Sequence, residues 1–408
     1  MMKKIAMILL VLYPILGIYK LPIGIDIPLN VFFTLILLAY TLLAKKKISF
    51  DFPRGFITYW FYISIVYILF SGDFRITTLI PGGLSFCFWV IAFIVLASFF
   101  DYKLFRKYYR VVFSICAVVF IIQEISYYTL GTRPIFLFPM PLTGSADYSV
   151  ILANQINLDR SSCFFREPSH FAQFALPLLA IELYESSNKG RFISRFAFFI
   201  VLILFLMRSG NGFLGMIIIM LVQVWDYLKY AKLKYKYLTL IVIIPLAVLA
   251  VSLYSRTEQG SEIALRASGI STEEGSSSFA RTFRGFLLYE ELPVINKIFG
   301  TSIEGVPDAI SRSKVNYLFI DPITGDDDYY LNGIQTILIS NGIIGLLLFF
   351  FIYIKLYSRY DLLSKPLILL FISLLFIGNL YLSQMMLIST IIPMLNKQRF
   401  NKNACSYQ

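Results

Sequence analysis

The sequence predicts an all-α polytopic membrane protein, with about twelve transmembrane helices (eleven if the last two merge) and two sizeable loops on one face. Three observations carry that expectation. The first is composition: of 408 residues, 58% are hydrophobic, 17% aromatic and only 15% charged, and the mean hydropathy is +0.74. An ordinary soluble domain carries about 45–50% apolar and roughly 25% charged residues, and single cores stop growing near ~250–300 residues. A soluble enzyme, a disordered chain and a disulfide scaffold are therefore excluded. The second observation is a succession of apolar runs of membrane-crossing size. The third is a basic charge pattern that alternates between successive loops.

A bilayer core needs roughly 20 apolar residues per helix, within a range of about 17–25. Lys3 and Lys4 precede the first run, 5–19. The pattern is that of a signal peptide, but no small-residue cleavage site follows and further runs do, so it reads as the first membrane helix. Next come 30–44, 56–71, 80–100 and 110–130. After a loop follow 169–184, 196–208, 211–228 and 237–254, and after a longer loop 331–354, 366–380 and 383–396. Gly378-Asn379 is either a very tight turn between the last two or the middle of one long helix.

Basic residues fall in alternate loops: Lys45-Lys46-Lys47 with Arg54, then Lys103/Arg106/Lys107/Arg110, Lys189/Arg191/Arg195 and Lys229/Lys232/Lys234/Lys236. Lys355/Arg359/Lys365 and Lys397/Arg399/Lys402 complete the set. With Lys3 and Lys4, about 23 of the 36 basic residues lie on one side, the signature of a cytoplasmic face. Both termini are thus expected in the cytoplasm, and the formal charge of +12 is explained by topology rather than by a nucleic-acid partner. Cys87 and Cys116 sit in apolar runs and Cys405 in the tail, leaving Cys163 unpaired outside. His170 is the only histidine, and no spacing fits a zinc site. No metal or cofactor is expected.

The whole chain, 1–408, reads as one integral membrane domain. Its two long loops, 131–168 and 255–330, both fall on the outer face, so function is sought there. The densest polar cluster beside a span is Arg160-Ser-Ser-Cys163-Phe-Phe-Arg166-Glu167-Pro168-Ser169-His170. Pro168 suits the first turn of the next helix, whose N-terminus favours an anion. Arg160 and Arg166 add forked cations suited to phosphate oxygens, and Glu167 or His170 is the group able to act as general base. Arg208 ends an apolar run on the outer side, against the charge bias. In the amphipathic stretch 281–299, Arg281 and Arg284 stand at i, i+3 on one helix face. Phe283, Phe286, Leu287 and Leu288 are then free to lie against the bilayer. Snorkelling of these arginines to lipid phosphates is the bland alternative. Glu124 lies within an apolar run, where a carboxylate is costly.

The run Arg160-x-x-Cys163-x-Phe165-x-Glu167-Pro168-x-x-x-Ala172 resembles the arginine/glycine/Glu-Pro signature of Wzy-type O-antigen and capsular polysaccharide polymerases, a superfamily that includes the O-antigen ligases. Arg208-Ser209-Gly210-Asn211-Gly212-Phe213 resembles the family's Ser/Gly-rich turn between helices. Arg281 with Pro293 and Phe299-Gly300 resembles its arginine-then-glycine stretch, and Asn332, Leu338, Gly342 and Gly345 its Asn-led helix entry. The resemblance spans about 155–355. Cys163 stands where the family often has glycine. The long outer loop lacks the histidine usual in the ligase branch, which favours the polymerase.

The resemblance implies a GT-C-like helical fold in a bacterial cytoplasmic membrane and a metal-independent transfer. A growing glycan would pass from undecaprenyl diphosphate to a new lipid-linked repeat unit. Arg160, Arg166, Arg208, Arg281 and Arg284 are then expected to hold the diphosphate, and Glu167 or His170 to take the proton. A flippase and a chain-length regulator of the same pathway are the implied partners beside membrane lipids. A ligase, or a flippase or transporter of lipid-linked oligosaccharide, is the alternative.

Overall fold

The computed structural model describes residues 2–22, 26–43, 54–70, 76–134, 161–165, 167–189, 191–230, 283–319, 330–357 and 363–405. The expected span 237–254 and the site residues Arg160, Arg166 and Arg281 lie outside them. The fold is all-α apart from a short antiparallel hairpin, β1 (Lys20–Pro22) and β2 (Asp26–Pro28). Among the described residues the first eight helices are α1 (Met2–Leu16), α2 (Leu29–Leu43), α3 (Arg54–Phe70), α4 (Ile76–Ser98), α5 (Tyr102–Leu130), α6 (Pro168–Asn188), α7 (Arg195–Leu206) and α8 (Gly210–Tyr230). Three short helices follow, α9 (Arg284–Glu291), α10 (Val294–Phe299) and α11 (Val306–Arg312). Then come α12 (Gly333–Tyr357), α13 (Ser364–Leu375) and α14 (Gln384–Cys405).

Every apolar run expected as a span within the described residues falls on a helix. Only two of these helices, α5 and α12, are long and apolar enough to cross a membrane unaided. Between α13 and α14 the chain breaks at 376–383, where Leu382 takes a left-handed φ of 60°, so the last two runs are separate helices.

Helix α5 shows why its ends fall where they do. The Asp101 side chain accepts from the N–H groups of Lys103 and Leu104 at 3.1 and 3.2 Å, satisfying two of the orphan donors at its start. Gly131 ends it in the left-handed conformation, φ 71°, returning its N–H to Tyr127. At about 1.5 Å per residue, its 29 residues reach past a bilayer core. One face of α5 leaves Val111, Ile115, Val118, Ile122 and Ile125 exposed, spaced as a single stripe.

The core is one continuous cluster through the bundle, with Phe56, Phe86, Trp89 and Phe93 interleaved at 5.5–6.3 Å between centroids. Helices α6 and α8 approach closely because Gly212 and Gly215 face Ala172 and Leu176.

The 281–299 stretch differs from the expected single interfacial helix. Pro293 splits it into α9 and α10, since Leu292 before the proline is extended (φ −62°, ψ 145°). Nor does α9 lie free on a surface: Gly285 abuts Gln335 of α12, and Leu288 is buried in a second small core with Val306, Ile310, Phe319 and Leu331.

Helix α12 starts with a reciprocal cap. Asn332 Oδ1 accepts from Gln335 N–H at 2.8 Å and Gln335 Oε1 from Asn332 N–H at 3.2 Å. The helix is then broken at Gly342 (φ 65°, ψ −176°). The orphan carbonyls at the end of its first half find outside donors: Ile339 accepts from Thr301 N–H and Ser340 from Ser302 N–H, both at 2.9 Å. Asn341 accepts from the Tyr62 hydroxyl at 2.8 Å. The loop segment 300–302 is thereby threaded into the break.

Candidate functional site

The two described ends of the 131–168 loop are tied back onto α5 by one buried side chain. Gln123 Nε2 donates to Pro134 O at 3.1 Å, and its Oε1 accepts from Cys163 N–H at 2.8 Å. Cys163 has a left-handed φ of 56°, so the position where the resembled signature often carries glycine has a glycine-like backbone. Its thiol is buried beside Cys116, and burial pushes its ionisation well above the usual thiol range. Phe165 stacks on Phe171 at 5.4 Å and 12°, anchoring the approach to α6. Substituting Gln123 with leucine leaves the Cys163 N–H and Pro134 C=O without their partner. We expect a loss of about 2 kcal/mol, read as a lowered thermal midpoint of detergent-solubilised protein; an unchanged midpoint removes Gln123 from this role.

Next to this tie lies a charged cluster. Glu124 Oε1 accepts from Ser161 Oγ at 2.5 Å and from Ser161 N–H at 3.3 Å. Arg133 Nε is 3.9 Å from Oε1, and Arg208 Nη2 is 3.8 Å from Oε2. Two guanidinium groups thus approach one carboxylate. Each is held by an aromatic ring: Arg133 lies 3.6 Å over the Tyr127 ring, and Arg208 donates to the Tyr128 hydroxyl. The cluster is largely shielded, with the Arg133 side chain 7% and the Arg208 side chain 20% exposed, so its charges act at reduced screening. Arg208 itself has φ 51°, a left-handed residue at the α7–α8 turn with no glycine to make it easy.

Glu167 caps α6 from an extended conformation without bonding the helix N–H groups, and accepts from Ser169 Oγ at 3.1 Å. Pro168 takes the first helical position as expected, and His170 is exposed. Residues of three helices meet at Gly378 in the α13–α14 break. A Cβ there would sit 3.0 Å from Gln173 Nε2 of α6 and 3.8 Å from Asn211 Nδ2 of α8, and Gly333 of α12 donates its N–H to the Gly378 carbonyl at 3.0 Å.

The expected site residues thus separate. Arg208 stands in the charged cluster, and Glu167 and His170 at the α6 start. Arg284 has a different place: it is 2% exposed, donates to the carbonyls of Leu318 (2.9 Å) and Tyr330 (2.6 Å), and lies 4.6 Å over Phe319. These contacts hold the loop helices to the entry of α12. Arg160, Arg166 and Arg281 lie outside the described residues. The missed members are Gln123 and Arg133. Arg133 is an arginine just past the end of an apolar run, the same kind of signal that singled out Arg208. Among the described residues no three His, Cys, Asp or Glu side chains gather as a metal site. No family model matches the chain, and no curated protein matches it significantly.

Proposed function

We propose that the protein is a polysaccharide polymerase of a bacterial cytoplasmic membrane, joining lipid-linked oligosaccharide units at the outer surface. The observation that supports this reading is the pairing of two guanidinium groups at Glu124: Arg133 and Arg208 approach one carboxylate, beside the segment that covalently joins Arg160 and Arg166. Membrane residence is supported by the two crossing-length helices and by the exposed apolar stripe on α5; a soluble surface does not carry such a strip.

In this reading an acceptor hydroxyl attacks the anomeric carbon of the donor glycan. The carbon–oxygen bond to the diphosphate breaks, and the hydroxyl proton passes to Glu167 or His170. The arginines neutralise the charge that develops on the leaving polyprenyl diphosphate.

The break in α12 favours a second reading, a carrier, since transporters bind substrate at interrupted helices. Here, however, the break is filled by 300–302, and the cavity beside it, lined by Tyr67, Ser302, Asn341 and Tyr381, measures about 20 Å³, room for a water rather than a sugar.

Deleting the gene in a strain that makes surface glycan tests the assignment. A lipid core bearing a single repeat unit is the expected product. Long chains persisting would overturn the proposal, full-length unattached chains would move it to a ligase, and units trapped on the cytoplasmic leaflet would move it to a carrier.

A further inference from the structure

The other end of α5 carries a groove that the polymerase reading does not use. Its volume is about 830 Å³, and it runs along one face of α5 with Phe196 of α7 as the far wall. Lys103, Lys107 and Arg110 line its mouth, and Val111 and Ile115, 49% and 53% exposed, continue it along the helix. The spacing i, i+4, i+7, i+8 and i+12 keeps all five on one face.

The charge balance here is uneven. Glu182 and Glu185 are committed to Arg106, at 2.8 and 3.1 Å, with the Tyr102 hydroxyl donating to Glu185 at 3.0 Å. Arg110 reaches Glu182 only at 3.5 Å and lies 4.3 Å over the Phe196 ring. Lys103 and Lys107 have no carboxylate within 4.0 Å among the described residues. They are like charges at i, i+4, which repel, and Lys103 sits in the first turn, where the helix dipole opposes a cation. An anion at the groove mouth would relieve both.

We propose that this groove binds an anionic phospholipid, its phosphate on Lys103, Lys107 and Arg110 and an acyl chain along Val111 and Ile115 against Phe196. The inference rests on the membrane placement in the reading above, but not on glycan chemistry. Basic pockets between helices on the cytoplasmic side suit such headgroups, and the exposed apolar strip suits a chain rather than a free phosphate.

The test uses the full-length protein in neutral detergent, titrated with short-chain phosphatidylglycerol or phosphatidylcholine. Each lysine near an anionic headgroup is worth about 5-fold, so the pair predicts a preference of about 25-fold for phosphatidylglycerol. The preference should vanish in K103Q/K107Q and persist in K103R/K107R, and millimolar inorganic phosphate should not displace the lipid. Equal binding of both lipids by the wild type, an undiminished preference in the glutamine variant, or displacement by phosphate would each overturn the proposal. Cell fractionation separates the premises: protein recovered from the soluble fraction refutes membrane placement, whereas membrane-embedded protein without the preference refutes this site alone.

Discussion

Replacing Arg208 with glycine is expected to abolish long-chain glycan while leaving the protein about as stable as the wild type. The two effects have separate causes. Arg208 occupies a left-handed backbone, φ 51°, which costs a non-glycine residue about 1–2 kcal/mol and glycine nothing. What its side chain returns in stability, through Tyr128 and Glu124, is of the same order. The pair with Glu124 spans 3.8 Å between groups 20% and 15% exposed, worth on the order of 1 kcal/mol, and Glu124 keeps Ser161 and Arg133 after the change. In the proposed reaction the same side chain would be one of the cations facing the departing diphosphate, and removing such a group lowers a rate about 100- to 1000-fold. Arg208→Lys keeps the charge but loses the fork, and should fall between. Reconstitution with a defined lipid-linked repeat unit, alongside thermal unfolding, reads both quantities. Wild-type chain length in the glycine variant would remove Arg208 from the mechanism; a collapsed midpoint would make it a structural clasp like Arg284.

That contrast between two arginines marks where sequence reading stops. Apolar runs are local, so hydropathy located the long helices among the described residues, and the proline signal at Pro168 is local too. The break at Pro293 and the short helix Val306–Arg312 were not read from the sequence. Arg208 was visible because a cation at the outer end of an apolar run stands out without any knowledge of neighbours. The setting of Arg284 was not legible because it is made by residues far along the chain, the carbonyls of Leu318 and Tyr330. Gln123 carries no sequence signal at all: an amide in an apolar run becomes a tie only once residues 134 and 163 return to it. The left-handed turn at Cys163 escaped for another reason, since cysteine advertises neither positive φ nor a turn.

The break in α12 is the other feature the hydropathy reading passed over, because Ser340-Asn341-Gly342 is a polar, turn-type triplet inside a run whose average hydropathy is still that of an unbroken span. It sets the second large prediction: Gly342→Ala should cost about 3–5 kcal/mol, near the upper end for a single substitution. Part of that is the left-handed φ of 65°, which alanine tolerates poorly. The rest is contact. A Cβ at 342 would lie 2.3 Å from the Ile298 carbonyl oxygen and 2.6 Å from Gly300 N, while Gly300, at φ 98°, faces Ser340 O equally closely. Both obstacles are backbone, so no rotamer change relieves them. The segment 298–302 must withdraw, and the carbonyls of Ile339 and Ser340 then lose the N–H groups of Thr301 and Ser302. Gly131→Ala is the control, because it has the same backbone sign (φ 71°) and nothing within 4 Å. It isolates the conformational cost, about 1 kcal/mol. A thermal midpoint for Gly342→Ala well below that of Gly131→Ala, with faster amide exchange at Thr301 and Ser302, is the expected result. Equal midpoints for the two variants would mean that the 300–302 segment does not fill the break, and the reason for setting the carrier reading second would go with it.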